Sequence, residues 1–201
     1  MIPLLTERLR LRALTPDDLD FVRRLHANPD LVRFIPSAIT PDEATARQHL
    51  EYFMSLADHP VQGFSLIELR GADDDGRAVA GTAVGLIMIK PIPPSGGGEA
   101  TVLEIGWRQV AEHCGHGYVT EAARAVLDAV HRAGVEHLVA VADPENLASQ
   151  RVAVRIGMER VGPTTEFYDA ETVLFRSTRT PPPGSPRTGR RTGPGRRPPR
   201  R

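Results

Sequence analysis

Cysteine is almost missing from this chain of 201 residues: Cys114 stands alone, which excludes an internal disulfide and permits a reducing compartment. Long apolar runs are missing too. None approaches the roughly 18 residues that span a bilayer, and Glu7 and Arg8 come too early for a leader peptide, so a cytosolic protein with no membrane partner is expected. Acidic residues stop at Glu171, whereas nine of the 25 basic residues follow position 175. The formal net charge of zero therefore divides into −9 over residues 1–175 and +9 over the remainder. From Pro181 onward only Pro, Arg, Gly, Thr and Ser occur, which leaves no apolar side chain to bury and predicts disorder. A single domain is expected over residues 1–178, followed by a basic tail over 179–201, and the 40% hydrophobic share suits such a core.

Within the domain, Leu9, Leu11 and Ala13 alternate with Arg8, Arg10 and Arg12, the period of a half-buried strand. Thr15-Pro16-Asp17-Asp18 supplies a cap, a first-turn proline and acids for a helix carrying Leu19, Val22 and Leu25 on one face. Thr40-Pro41-Asp42-Glu43 has capping-box spacing and predicts a second helix to about Ala57. Residues 61–70 and 78–90 read as antiparallel strands joined by a turn-rich acidic link, with a further strand at about 100–108. Ala122, Ala123, Val126, Leu127 and Val130 recur at helical spacing, and Gly134 is placed to end that helix. A strand at 136–142, a helix at 146–156 closed by Gly157, and strands near 158–162 and 171–177 complete an α/β (α+β) domain of six to seven strands and about four helices.

The stretch from Glu104 to Ala122 reads as a strand entering a glycine-pinched turn that opens an amphipathic helix. Gly115 and Gly117 let backbone N–H groups curl around an anion, and the following helix adds its positive end, an arrangement suited to phosphate. About 30 residues on, Asp143-Pro-Glu-Asn-Leu-Ala-Ser149 follows another strand and starts another helix. Together with Leu5-Thr-Glu-Arg-Leu-Arg-Leu-Arg-Ala-Leu and Asn146-Leu-Ala-Ser-Gln-Arg-Val-Ala-Val-Arg-Ile-Gly-Met, these blocks resemble the GNAT superfamily of acyl-CoA-dependent N-acetyltransferases. The resemblance is to the branch holding the ribosomal-protein N-terminal acetyltransferases and covers most of the chain. It implies a mixed, mostly antiparallel sheet whose central strands splay apart to take the pantetheine arm of acetyl-CoA.

The resemblance also distributes roles. The backbone of Glu112 to Gly117, including Cys114, Gly115 and His116, is expected at the diphosphate. Glu112 stands where the family usually has Gln or Arg, so its N–H is assigned rather than its side chain. Gln109 matches positions that contact the pantetheine arm, and Trp107 either lines the pocket or packs in the core. Glu104 corresponds to a glutamate that takes the acceptor's proton directly or through water; a solvent-facing or arginine-paired glutamate is the alternative. Many relatives protonate the thiolate with a tyrosine that Arg151-Val-Ala-Val154 lacks, and Ser149 matches the serine proposed instead. Asn146, one helical turn before Ser149, reads as a helix N-cap that can also reach the CoA arm.

Glu112, His113, Cys114 and His116 also suggest a metal, but a structural zinc draws four ligands from two separated segments and no second Cys or His pair exists, so no metal is expected. In similar enzymes the acceptor is lined by the segment here running from Asn28 to Pro36 and by the late hairpin around Thr164 to Glu171. At pH 7 an α-amine is about 10–15% free base and a lysine about 0.04%, which favours a protein N-terminus or a small primary amine as acceptor. A CoA-binding protein of weak turnover, or an RNA- or ribosome-associated module using its arginine tail, is the competing class. The tail is otherwise a solubilising extension with at most weak polyanion contact, and the chain is expected as a monomer or homodimer.

Overall fold

A computed structural model describes residues 3–35, 42–72, 76 and 78–179. Two short strands open the chain, β1 (Leu4–Leu5) and β2 (Leu9–Arg12), followed by helices α1 (Leu19–His26), α2 (Pro29–Val32, a single turn) and α3 (Glu43–Ser55). Strands β3 (Gly63–Leu69), β4 (Ala83–Pro91) and β5 (Leu103–Gln109) lead into α4 (Tyr118–Arg132). Then come β6 (His137–Ala142), α5 (Leu147–Arg155), β7 (Glu159–Thr164) and β8 (Thr172–Thr178). All eight strands form one sheet in the order β1-β2-β3-β4-β5-β6-β8-β7, antiparallel except for β5 beside β6.

This is the expected mixed sheet with four substantial helices, but with eight strands rather than six or seven. The added strand is β1, only two residues long and held by pairing Leu4 with Leu11, a contact that no periodicity in so short a segment announces. The strand expected from residue 78 begins at Ala83, because Ala78–Thr82 is spent on a turn in which Gly81 N–H donates to the Leu69 carbonyl at 2.8 Å. The first expected helix opens as a 3₁₀ turn over Pro16–Asp18, where Thr15 N–H donates to Asp18 Oδ2 at 2.7 Å, before α1 proper. For α3 the capping residue is Asp42, whose Oδ1 accepts from Thr45 N–H at 2.7 Å; Thr40 lies outside the described residues.

Helices cover both faces of the sheet. On one side α4 buries Val119, Ala122, Ala123, Val126, Leu127 and Val130, with Ala153 of α5 and Ile156 just past its end, against Leu9, Ile67, Ile87, Ile105 and Phe175. On the other, Phe21, Val22 and Leu25 of α1 and Leu50 and Phe53 of α3 pack on Phe64, Leu66 and Leu86. Each large side chain so buried contributes about 1.5–3 kcal/mol, so α4 is firmly anchored and the loop preceding it is held in place. The two alternating sets on β5 are divided between these faces: Ile105 and Trp107 toward α4 and α5, Glu104, Gly106 and Arg108 toward the α1 and α3 side.

Candidate active site

Between β5 and β6 the sheet opens. The two strands share a single ladder position, Glu104 beside Val139, whereas β4 and β5 pair continuously from Pro91–Leu103 to Gly85–Gln109. Beyond Glu104 the facing edges diverge, and a cavity of about 530 Å³ fills the gap. Ile105 to Arg108 and Ala140 to Asp143 form its two walls, Asn146 ahead of α5 and Ser149 within it reach it from one face, and Lys90, Tyr168 and Thr172 from the other. Arg33, Phe34 and Ile35 after α2 close one side, and an Arg33–Glu145 ion pair ties that segment to the loop before α5.

Glu104 is buried, with 3% exposure, and is not solvent-facing. Its Oε1 accepts from Lys90 Nζ at 2.9 Å and from the Tyr168 hydroxyl. Lys90 is the chain's one lysine and lies directly across the β4–β5 ladder from Glu104, so the antiparallel register itself delivers the partner. It also donates to Tyr168 Oη at 2.7 Å. Tyr168 sits at the β7–β8 turn with φ of 61°, unusual for a residue with a Cβ. Burial, then the charge of Glu104 and the hydrogen bond to it, push the phenol far above its ordinary range, so Tyr168 stays protonated and donates.

Arg108 forms the other charged feature of this face. Its Nη1 donates to His26 Nε2 at 2.5 Å, and its guanidinium lies 6.0 Å from the Phe53 ring centre. Burial lowers its pKa to about 10, which leaves it cationic at neutral pH. His26 has the opposite fate: burial, then the charges of Arg108 and His49, hold its pKa down to about 3. The neutral ring accepts at Nε2, so its Nδ1 carries the proton, without a partner among the described residues.

The loop ahead of α4 has the backbone that phosphate binding demands. Gly115 and Gly117 take φ of 92° and 77°, left-handed values that a side chain resists, and a Cβ built on Gly115 would meet no protein atom within 4 Å. Gly117 caps α4, a 15-residue helix whose first N–H groups point back toward the loop. Arg8, just ahead of β2, clamps the loop: its Nη1 donates to the His116 carbonyl at 3.0 Å and its Nε to Glu121 Oε2 at 2.8 Å, and it lies over the Tyr118 ring. Glu112 is exposed, and Cys114 is an exposed free thiol that burial of its sulfur and then the Glu112 charge hold above the ordinary value.

Not every expected residue stands where its role was placed. Gln109 is absent from the cavity lining; its amide donates to the His113 carbonyl at 2.6 Å and so braces the glycine loop. Trp107 serves both alternatives, lining the cavity and packing against the α4–α5 core, with Nε1 buried and unpartnered among the described residues. Asn146 caps α5, its Oδ1 accepting from Ser149 N–H at 3.0 Å, and both residues line the cavity. Residues Arg33 to Ile35 and Tyr168 to Thr172 fall within or beside the two segments expected to line an acceptor pocket. Lys90, Arg8, Arg108 and Tyr168 had no assigned role; the one available signal was the solitary lysine among 25 basic residues.

The structure fits acetyl-CoA: a β5–β6 edge that pairs at one position only and then splays for the arm, a Trp107 N–H without a partner among the described residues, and a glycine loop open to an anion. Comparison with known proteins points the same way. The family model described as an acetyltransferase (GNAT) domain matches residues 8–159. YkkB, an uncharacterized protein of Bacillus subtilis (strain 168), is 48% identical over 59 residues, 29% of this chain and 34% of that protein, so the match spans about a third of the curated relative. An acetyltransferase of Agrobacterium tumefaciens str. C58 superposes with a TM-score of 0.68 at 26% identity, covering 88% of this chain and 94% of that one. RimL, a ribosomal L7/L12 alpha-N-protein acetyltransferase solved with coenzyme A, gives 0.67 at 17% identity over 87% and 96%. No helix among the described residues is long and apolar enough to cross a membrane.

Proposed function

This chain belongs to the GNAT acetyltransferase family, and we propose that it is an N-acetyltransferase that carries the acetyl group of acetyl-CoA directly to a primary amine within a ternary complex. The observation that carries the proposal is the opening at Glu104, where one cavity passes between diverging strands and holds a buried carboxylate on one face of the sheet and Ser149 on the other. The cosubstrate supplies an activated acetyl thioester. Backbone N–H groups from Glu112 to Gly117 and the start of α4 bind its diphosphate, while the free edge of Gly106 to Gln109, Trp107 and Asn146 hold its arm.

On the acceptor face, Glu104 takes the ammonium proton, directly or through water, as the amine nitrogen bonds to the acetyl carbon. Lys90 and the protonated Tyr168 fix the carboxylate's orientation from two sides. The carbon–sulfur bond breaks, and Ser149 supplies a proton to the departing sulfur. Residues 1–178 make up the catalytic unit, with the basic tail outside it. An α-amine, of a protein N-terminus or of a small molecule, asks less of Glu104 than a lysine because a far larger share of it is already free base.

Initial-rate kinetics test the proposal: thiol release is followed while acetyl-CoA and an amine are varied together. Intersecting double-reciprocal lines are expected. Parallel lines with an isolable acetyl-enzyme would overturn direct transfer, and tight CoA binding without thiol release on any amine would make the chain a binding protein.

A further inference from the structure

The acceptor face of the cavity carries hydrogen-bond donors with nothing to donate to. Five buried side-chain polar atoms lack a partner among the described residues, and three of them belong to residues lining this one cavity: Trp107 Nε1, Arg108 Nε and Thr172 Oγ1. Trp107 points to the α4–α5 face, where the donor substrate lies in the reading above. Arg108 and Thr172 do not. Arg108 shares a strand face with Glu104, and Thr172 shares one with Leu174, which packs with Ile92 and Val139 on that same side of the sheet. An unpaired buried donor costs roughly what a lost hydrogen bond does, so two of them on residues that line one cavity mark a place where an acceptor group would be stabilised.

Charge narrows what that is. Lys90 and Glu104 neutralise each other at 2.9 Å; of the other carboxylates lining the cavity, Glu171 is exposed and Asp143 accepts from Glu145 N–H at 2.8 Å. Among the described residues Arg108 makes no ion pair and its one hydrogen bond goes to the neutral His26 ring, while the charge of Glu104 acts on it only at longer range. The face therefore presents a full positive charge at Arg108, with a fork geometry that suits a carboxylate, four residues along β5 from the group that receives the amine. Strand geometry sets the two backbone positions about 13 Å apart, and both side chains reach into the gap.

We propose that the acceptor of this enzyme is an amine that carries a free carboxylate on the same small molecule, an amino acid in the broad sense, with Arg108 and Thr172 binding the carboxylate while Glu104 meets the amine. The proposal rests on the amine-acetylation reading above. It names Arg108 and Thr172 as specificity-determining residues.

The test uses the full chain with acetyl-CoA and four amino acids of increasing amine-to-carboxylate spacing and bulk: glycine, β-alanine, 4-aminobutyrate and leucine, each against its own amide. An α-amino amide is less basic than its acid, so amine reactivity alone favours the amide there, and a preference for the acid has to come from the carboxylate. For at least one pair kcat/KM for the acid should exceed that for the amide by about tenfold to a hundredfold. Arg108→Gln should collapse that ratio, Arg108→Lys should keep part of it, and Thr172→Val, isosteric and safe for folding, should reduce it severalfold. Amides used as well as or better than every acid would overturn the carboxylate and leave N-acetyl transfer standing. Thermal stabilisation by an acid but not by its amide, without thiol release, would support the carboxylate site and overturn acetyl transfer to these amines instead.

Discussion

Substitution of the two loop glycines separates conformational strain from loss of a ligand contact. Gly115 and Gly117 both have left-handed backbone, where a Cβ costs about 1–2 kcal/mol. At Gly117 the nearest atom to a built Cβ is Arg8 Nη2 at 3.7 Å, an ordinary contact, and at Gly115 nothing lies within 4 Å. Alanine at either position should therefore destabilise by that strain alone, about 1–2 kcal/mol in urea unfolding, with no clash to relieve. Among the described residues a methyl at Gly115 meets nothing, so a ligand bound in the loop would be its first contact. Gly117→Val adds two branches at the start of α4, in the space an anion would occupy, and should weaken CoA binding at least about tenfold, or 1.4 kcal/mol. Isothermal titration of each folded variant with CoA, beside its urea curve, checks both quantities. Stability reduced as expected but CoA affinity within about twofold of the parent would show that the diphosphate binds elsewhere and that these glycines serve only the chain's turn into α4.

Glu104→Gln should lower turnover by roughly 10² and move the pH optimum upward, because more of the acceptor must then arrive deprotonated; Ser149→Ala should cost rate even at high pH. Near-normal pH–rate profiles in both variants would remove these residues from the proton path. His26 should impose a pH dependence on stability: the unfolded chain binds a proton below its ordinary 6.5, the folded chain only near 3, so the contribution is complete above 6.5 and lost as pH falls. The loss is about 1.6 kcal/mol between pH 6.5 and 5. Urea titrations at the two pH values should show it in the parent and not in His26→Gln, and equal slopes would reject it. Truncation at Thr180 should leave the melting temperature and small-amine kinetics unchanged, since the removed residues offer no apolar or proton-transferring side chain; lost turnover would place the tail in the working enzyme.

What the sequence announced was what adjacent residues decide among themselves. Gly115 and Gly117 are legible because a left-handed turn constrains the residue that makes it, and Asn146 because a cap acts three residues ahead. Period-two alternation likewise placed Leu9 and Leu11 in the core. The same alternation put Arg8, Arg10 and Arg12 on a common face but was silent on partners. Arg12 is held at 2.7 Å by both Asp18 and Glu68, and Arg8 runs to Glu121 and the His116 carbonyl, more than a hundred residues away. The setting of Glu104 was hidden for the same reason. Lys90 reaches it only because the β4–β5 register sets the two opposite each other, across a loop whose length in sequence does not fix that register. A slip of one residue would turn Lys90 to the α4 face and leave Glu104 with Tyr168 alone.

The two charged groups of the acceptor face differ in this respect, and the difference bears on what evolution could alter cheaply. Glu104 and Arg108 lie four apart on one strand, so alternation alone requires them to share a face whatever the loops do. Their neighbours Phe34 and Ile35 come from a connecting segment outside the buried clusters, Tyr168 from the turn between β7 and β8, and Thr172 from the first position of β8, ahead of its core residues Val173 to Phe175. Substituting in those segments can reshape the room around an acceptor without touching the strand that presents the carboxylate and the guanidinium. Replacing Arg108 removes a charge whose bond to His26 is part of the packing between β5, α1 and α3, so a change of acceptor charge has to be matched in the helices behind it.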